Sequence, residues 1–293
     1  MRNNHDIKSI LKNYKFMTAA FFLPVLIMSA AFIVQGIFPF GENQIAVIDL
    51  YHQYLPLLSE LQYKLHHAES LFFTWNGLGG CNFWNIIAYQ AGSPLNLLLV
   101  FFPEKYIMEG ITFILLIKIG LVGLCMFLYL KNIYPANGLD CSPAVKPPAD
   151  IATVAFSTLY ALNAYVLAYY WNVMWMDAVA LLPLCMLGLR RAVDGERATL
   201  YTVSLALIVF ANYYIAIMVC IFIMVYYPVL YFEKKRSGGI KAFLITTART
   251  VCYSLLGVAM SAVLLLPTYF SMKNASVADS TFPDSIFFYK YAI

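Results

Sequence analysis

Apolar residues in this chain come in long runs, and the polar residues gather between them. The first run, Phe16 to Phe38, follows a polar start carrying Arg2, Lys8, Lys12 and Lys15. It is too long for a signal-peptide core and no small-residue cleavage site closes it, so it predicts a retained membrane-spanning helix. Further spans are expected at about Ile107–Leu130, Ile151–Tyr170, Ala178–Leu189, Ala198–Ala211, Tyr213–Phe232 and Ala242–Pro267. Phe83 to Phe102 is also apolar, but Gln90, Gly92, Ser93, Pro94 and Asn96 interrupt it. An interrupted backbone survives at membrane depth only where protein or water covers it. This stretch is therefore expected as a re-entrant pair of half-helices that does not cross.

Between the first span and Lys105 lies a long loop with a pattern of its own. Leu50, Tyr54, Leu57, Leu58, Leu61 and Leu65 recur at helical spacing, with Gln53, Glu60 and Lys64 on the other side. That predicts an amphipathic helix lying in the interface plane, kinked or restarted at Pro56. Just ahead of it, in the stretch Gly41 to Tyr54 (GENQIAVIDLYHQY), stands Asp49. The loop Trp75 to Asn85 (WNGLGGCNFWN) is rich in glycine, which permits positive φ.

Composition agrees with the pattern. The chain is 62% hydrophobic and 12% charged, and its mean hydropathy is +0.73. A soluble core could not absorb so much apolar sequence. The formal net charge of +4 is too small to suggest a nucleic-acid partner. If Phe83–Phe102 does not cross, Lys131, Lys146, Arg190, Arg191, Arg197, Lys234, Lys235, Arg236 and Lys241 share one side. Lys64, Lys105, Lys273 and Lys290 fall on the other. The positive-inside rule then places the N-terminus in the cytoplasm, and Asp49, Trp171–Asp177, Asn212 and everything from Thr268 on the outer face. Cys125, Cys185, Cys220 and Cys252 fall in spans, with Cys81 outside and Cys141 inside, so no disulfide or metal-binding spacing emerges. The aromatic run Phe287–Ile293, with no polar tail, suggests the N-terminal part of a longer chain, and residues 1–293 read as one transmembrane domain.

The candidate chemistry lies at the outer boundary. Asp49 precedes a helix, where aspartate commonly serves as an N-cap. Asp177 follows Trp171, Asn172 and Trp175 at a span end, and reads equally as a pocket acid or a cap. On a helix Gln53 would share a face with Asp49, and Tyr54 is its neighbour. The loop of Trp75, Asn76, Gly79, Gly80 and Asn82 could offer backbone N–H groups to a phosphate, although a simple turn is the commoner use of such glycines. Lys118 sits mid-span, to snorkel, face a cavity, or pair with an acid on another helix.

Five stretches in order carry a resemblance: GIFPFG (Gly36–Gly41), Asp49-Leu50-x-x-Gln53-Tyr54, WNGLGG (Trp75–Gly80), SPLNLL (Ser93–Leu98), and NVMWMD (Asn172–Asp177) followed by LLPL (Leu181–Leu184). The chain resembles the YfhO-type bacterial membrane proteins, which belong with the GT-C glycosyltransferases. The resemblance implies an all-α, GT-C-like polytopic helix bundle in the cell membrane. It implies transfer of a sugar from a polyprenyl-phosphate donor to a cell-surface acceptor, such as a teichoic-acid type polymer. It also implies an acid in the first outer loop as the catalytic group, here Asp49. Chemically, a carboxylate there would take or orient the acceptor proton, and a divalent metal on it, Mg or Mn, would steady the leaving phosphate. Asp177 is the second candidate acid. Candidate substrate contacts are Gln53, Tyr54, Trp75, Asn76, Gly79, Gly80, Asn82, Asn96, Trp171, Asn172 and Trp175. A transporter or flippase of a lipid-linked sugar, using the broken segment and Lys118, is the competing reading; a non-catalytic membrane scaffold is the third.

Overall fold

The computed structural model of the chain describes residues 4–38, 40–77, 79–134, 150–233 and 239–273, with side chains from residue 14 onward. Cys141, Lys146, Lys234, Lys235, Arg236, Lys290 and the stretch from Asn274 lie outside the described residues. The protein is an all-α polytopic bundle. Every expected span is helical: α1 (Asn4–Val34), α4 (Ile107–Ile133), α5 (Asp150–Ala161) with α6 (Ala164–Tyr169), α7 (Met176–Val193), α8 (Thr199–Ala211), α9 (Tyr213–Glu233), and α10 (Gly239–Met260) with α11 (Ala262–Lys273). Between α1 and α4 come two short helices, α2 (Leu55–His66) and α3 (Phe83–Ile86).

Among the described residues, five stretches are long and apolar enough to cross a membrane: Tyr14–Val34, Glu104–Ile133, Asp150–Tyr169, Tyr213–Glu233 and Gly239–Met260. Two expected spans are broken in the middle. Asn163 ends the first half of one and caps the second by accepting from Val166 N–H at 3.0 Å. Ser261 interrupts the other and donates to Ala206 O at 2.8 Å on α8. The bundle centres on α4, which packs on α1, α5 and α7, while α8 packs on α7, α9 and α10. At the crossing of α1 and α4, a Cβ on Gly123 would stand 2.3 Å from Ala20 O, so only glycine allows this approach.

Hydrogen bonds show which loops share an end. Asn172 meets Tyr54, Asn212 Nδ2 donates to Tyr89 O at 2.7 Å, and Asn85 Nδ2 donates to Ser271 on α11 at 2.7 Å. The long loop after α1 therefore lies at one end with the α6–α7 turn, the α8–α9 turn and the tip of α11. At the opposite end Lys131 pairs with Asp150, Arg190 with Glu233, and Arg191 donates to Asn132. This arrangement requires that Phe83–Phe102 does not cross, as the charge pattern predicts.

That loop differs from expectation in three ways. The helix at Leu50 begins as a π-helical turn, Leu50–Tyr54, and becomes α-helical at Leu55, with Pro56 in the first turn of α2. Proline's fixed φ of about −65° suits a helical turn there. Second, α2 does not lie on a surface with Glu60 and Lys64 in solvent. Lys64 is buried between Glu60 (3.5 Å) and Glu69 (3.4 Å), and Gln62 Nε2 donates to both Leu99 O and Phe102 O. The polar face is covered because the rest of the loop folds over it. A small hairpin, β1 (Phe73–Thr74) with β2 (Cys81–Asn82), hangs from Glu60 through Thr74 Oγ1 and Asn76 Nδ2.

Third, Phe83–Phe102 is broken into two helical halves as expected, but neither half is a regular α-helix. It runs as α3, a π turn Ile87–Ala91, a break at Gly92–Ser93, and a 3₁₀ helix Pro94–Phe101. A Cβ on Gly92 would stand 2.4 Å from Phe210 O, so the break presses against the end of α8.

Candidate functional site

Asp49 enters the π turn with φ −68° and ψ −23°, already helical, and its side chain makes no capping bond. An N-cap normally has extended dihedrals that swing its side chain over the first free N–H groups. The cap reading of Asp49 therefore fails on geometry. The chain reaches it through Ile48 at φ +51°. A β-branched residue there is strained by roughly 1–3 kcal/mol, and such strain clusters at functional sites. Asp49 is partly exposed and has no hydrogen bond or ion pair among the described residues. Further along the same loop, Glu60 and Lys64 are engaged with each other and with the hairpin.

Tyr54 closes the same π turn and is buried. Its hydroxyl donates to Asn172 Oδ1 at 3.0 Å, joining the Asp49 turn to the α6–α7 turn. Burial, then the negative charge of Asp49, then Tyr89 and Tyr165, push the Tyr54 hydroxyl up to about 12. Asp49, Tyr89 and Tyr165 are thus near enough to Tyr54 to act on its charge, and Asn172 is bonded to it. Tyr89 belongs to the second π turn, which packs against α2 just after the first, and π turns are frequent at functional sites. Trp175 stacks parallel to Tyr165 with ring centres 6.5 Å apart. The Trp175 indole N–H, the Tyr165 hydroxyl and Gln90 Oε1 are buried without partners among the described residues.

The remaining sequence candidates are placed otherwise. Gln53 is exposed, and Trp171 is buried against the ring of Tyr169. Trp75, Asn76, Gly79, Gly80 and Asn82 lie on or beside the hairpin. Glu60, which anchors it, stands about 15 Å along the helix from Asp49 at ~1.5 Å rise per residue. The Gly80 N–H is taken by Gly77 O at 2.8 Å, so the glycine stretch forms a turn. Asn82 caps α3, accepting from Trp84 and Asn85 N–H. Asn96 is buried and donates to Ala91 O at 3.0 Å, bracing the break.

Asp177 is neither a cap nor an open acid. It is buried, accepting from Ser93 Oγ at 2.7 Å and paired with Lys118 Nζ at 2.7 Å, and Lys118 also donates to Val173 O at 2.8 Å. Of the roles open to Lys118, pairing across helices is the one found. Ionised groups at this depth persist when paired, which is the case here. Beside the pair lies a nearly apolar cavity of about 210 Å³ reaching Leu95, Leu121 and Leu207. A larger apolar cavity of about 440 Å³ lies between the broken segment, α2, α8 and α11, lined by Leu61, Trp84, Pro94, Leu97, Phe210 and Leu264 among others.

Sequence reasoning missed Tyr89, Gln90 and Tyr165 as members of the cluster. The aromatic spacing of Tyr165, Tyr169 and Trp171 was the available signal for the last. It also missed Arg249, which donates to Ala192 O near the end of α7. Among the described residues no group of three or more His, Cys, Asp or Glu could hold a metal by itself.

The fold and this cluster define a multi-span helical membrane protein with an unengaged acid in its first long loop. A family model described as "Bacterial membrane protein YfhO" matches residues 19–292, and the chain belongs to that family. Neither the curated proteins nor the solved structures contain a match.

Proposed function

We propose that the protein transfers a sugar from a polyprenyl-phosphate donor to a hydroxyl of a cell-surface polymer, on the outer face of the cell membrane. The observation that carries this is the state of Asp49. Its side chain makes no capping bond and no ion pair among the described residues, and it stands on the strained turn after Ile48. It lies beside the buried Tyr54–Asn172 contact, whereas Lys64, Lys118, Glu60 and Asp177 are all engaged. An unpaired carboxylate on a strained turn is available to accept a proton.

In this reaction the acceptor oxygen forms a bond to the anomeric carbon of the sugar. The bond from that carbon to the phosphate oxygen breaks, and its electron pair leaves with the polyprenyl phosphate. Asp49 takes the acceptor proton. Tyr54, held neutral by burial, keeps its hydroxyl on Asn172, while the Trp175 N–H, the Tyr165 hydroxyl and Gln90 Oε1 suit the hydroxyls of a sugar. The 440 Å³ apolar cavity suits a stretch of lipid chain. The outer placement is supported by charge: Lys131, Arg190, Arg191, Arg197 and Lys241 lie at the end opposite Asp49.

The transporter reading drew on Lys118 as a cation facing a pathway, and its ammonium is committed to Asp177 and Val173 O. The test is transfer of radiolabel from a polyprenyl-phosphate sugar by the purified protein in liposomes. Label appearing in the polymer supports the proposal. Label that only changes leaflet, without bond transfer, replaces it with transport.

A further inference from the structure

The Lys118–Asp177 pair is a costly thing to bury. Two well-packed leucines would hold α4 against α7 at least as well, because desolvating two charges often cancels their attraction. What leucines would not supply is direction. The Lys118 ammonium has a second target, the carbonyl of Val173, at 2.8 Å. Val173 lies in the turn Trp171–Trp175, just ahead of the first residue of α7. The adjacent residue, Asn172, receives the Tyr54 hydroxyl, and Tyr54 closes the π turn that begins after Asp49. Each contact is buried: Lys118 is 1% exposed, Asn172 4% and Tyr54 4%. A directional path therefore runs from the middle of α4, through one turn, to the backbone that carries the free carboxylate. On its other oxygen Asp177 takes Ser93 Oγ, at the break between the two halves of the interrupted segment.

We propose that Lys118 is a positioning residue for Asp49: its ammonium fixes the Trp171–Trp175 turn, so that Asn172 holds the Tyr54 hydroxyl and with it the π turn bearing the carboxylate. The catalytic part of this inference rests on Asp49 being the reacting group; the structural part does not. The Asp49 turn needs such a restraint. Ile48 is strained, Asp49 makes no bond of its own, and Tyr51, His52 and Gln53 are exposed. Within the turn, the fixed side chains are Leu50 and Tyr54, and Tyr54 has the directional bond.

The test removes the pair without stranding either charge, in the variant Lys118→Met/Asp177→Leu. Displacing a reacting group by about 1 Å from afar costs up to ~10²-fold in rate. The expected result is a folded protein whose kcat falls by about 10- to 100-fold while KM for the donor stays within about twofold. A double-mutant cycle with Tyr54→Phe separates this from general loosening. If the path is real, Tyr54→Phe alone lowers kcat similarly, and adding the pair replacement to it changes little further. Independent, multiplying effects would overturn the proposal, as would an unchanged kcat.

A readout that needs no activity accompanies this. A spin label at His52→Cys, in a background without other cysteines, should be ordered in the parent and mobile in the paired variant. If the parent transfers no sugar, the proposed function fails, and the label still decides the structural path: an unchanged spectrum overturns it and a mobile one supports it.

Discussion

Replacing Lys118 alone by methionine should be far more damaging than replacing both members of its pair. Lys118 is 1% exposed and Asp177 7%, with 2.7 Å between Nζ and Oδ2. Methionine fills much of the lysine volume, so packing changes little. What remains is a carboxylate with Ser93 as its one surviving donor, beside a nearly apolar cavity. Breaking a buried pair from one side typically costs about 3–5 kcal/mol, whereas exchanging both partners for apolar residues is often near neutral. The abandoned Val173 carbonyl adds about 1–3 kcal/mol where nothing else reaches it. At roughly 2–4 °C per kcal/mol, Lys118→Met should unfold on the order of 10 °C below the parent. Asp177→Leu alone should show a similar drop, because it strands the ammonium. Lys118→Met/Asp177→Leu should recover most of the loss. Thermal unfolding in mild detergent reads all four proteins. A double variant less stable than either single one, or single variants indistinguishable from the parent, would refute the pairing and the path built on it.

Three further expectations follow from the loop that carries Asp49. Gln62→Leu strands the carbonyls of Leu99 and Phe102, at about 1–3 kcal/mol each, and limited proteolysis should then cut near Phe102 sooner. Burial alone would raise Glu60, but hydrogen bonds from Thr74 and Asn76, with Lys64 beside it, hold it below the ordinary 4.5. Its folded value is depressed, so its contribution is complete above the unfolded value and is lost as pH falls through the lower folded one. Trp75 fluorescence should therefore report hairpin loosening only below about pH 4.5, and not at all in Glu60→Gln. Finally, a membrane-impermeant thiol reagent applied to intact cells should label Glu42→Cys and not Glu196→Cys; the reverse pattern would put the site on the cytoplasmic side.

The spans were legible because an apolar run of twenty residues has few other uses, and the order of lysines and arginines fixed which loops share an end. The break at Gly92–Ser93 was equally plain from composition. The π turn was not. Leu50 and Tyr54 recur at a spacing that suits an α-helix as well, and nothing in a residue type announces the extra residue per turn. The pairing of Lys118 with Asp177 joins positions far apart in the chain, so the sequence shows both charges but not their contact. Glu60 and Lys64 misled for a related reason. Helical periodicity reveals which residues share a face, and not whether another part of the loop covers it. The hairpin escaped notice because strands of two residues have no periodicity to read. At Asn163 the apolar run continues across the break, although an asparagine within it was a usable capping signal.

Asp49 itself offers the most direct test. Because its side chain makes no capping bond, both Asp49→Asn and Asp49→Ala should fold like the parent, within about 0.5 kcal/mol. Each lacks the charge that accepts the proton, so transfer from a radiolabelled polyprenyl-phosphate sugar should fall by ~10²–10⁴-fold in both. Near-normal transfer by well-folded Asp49→Asn protein would contradict the account.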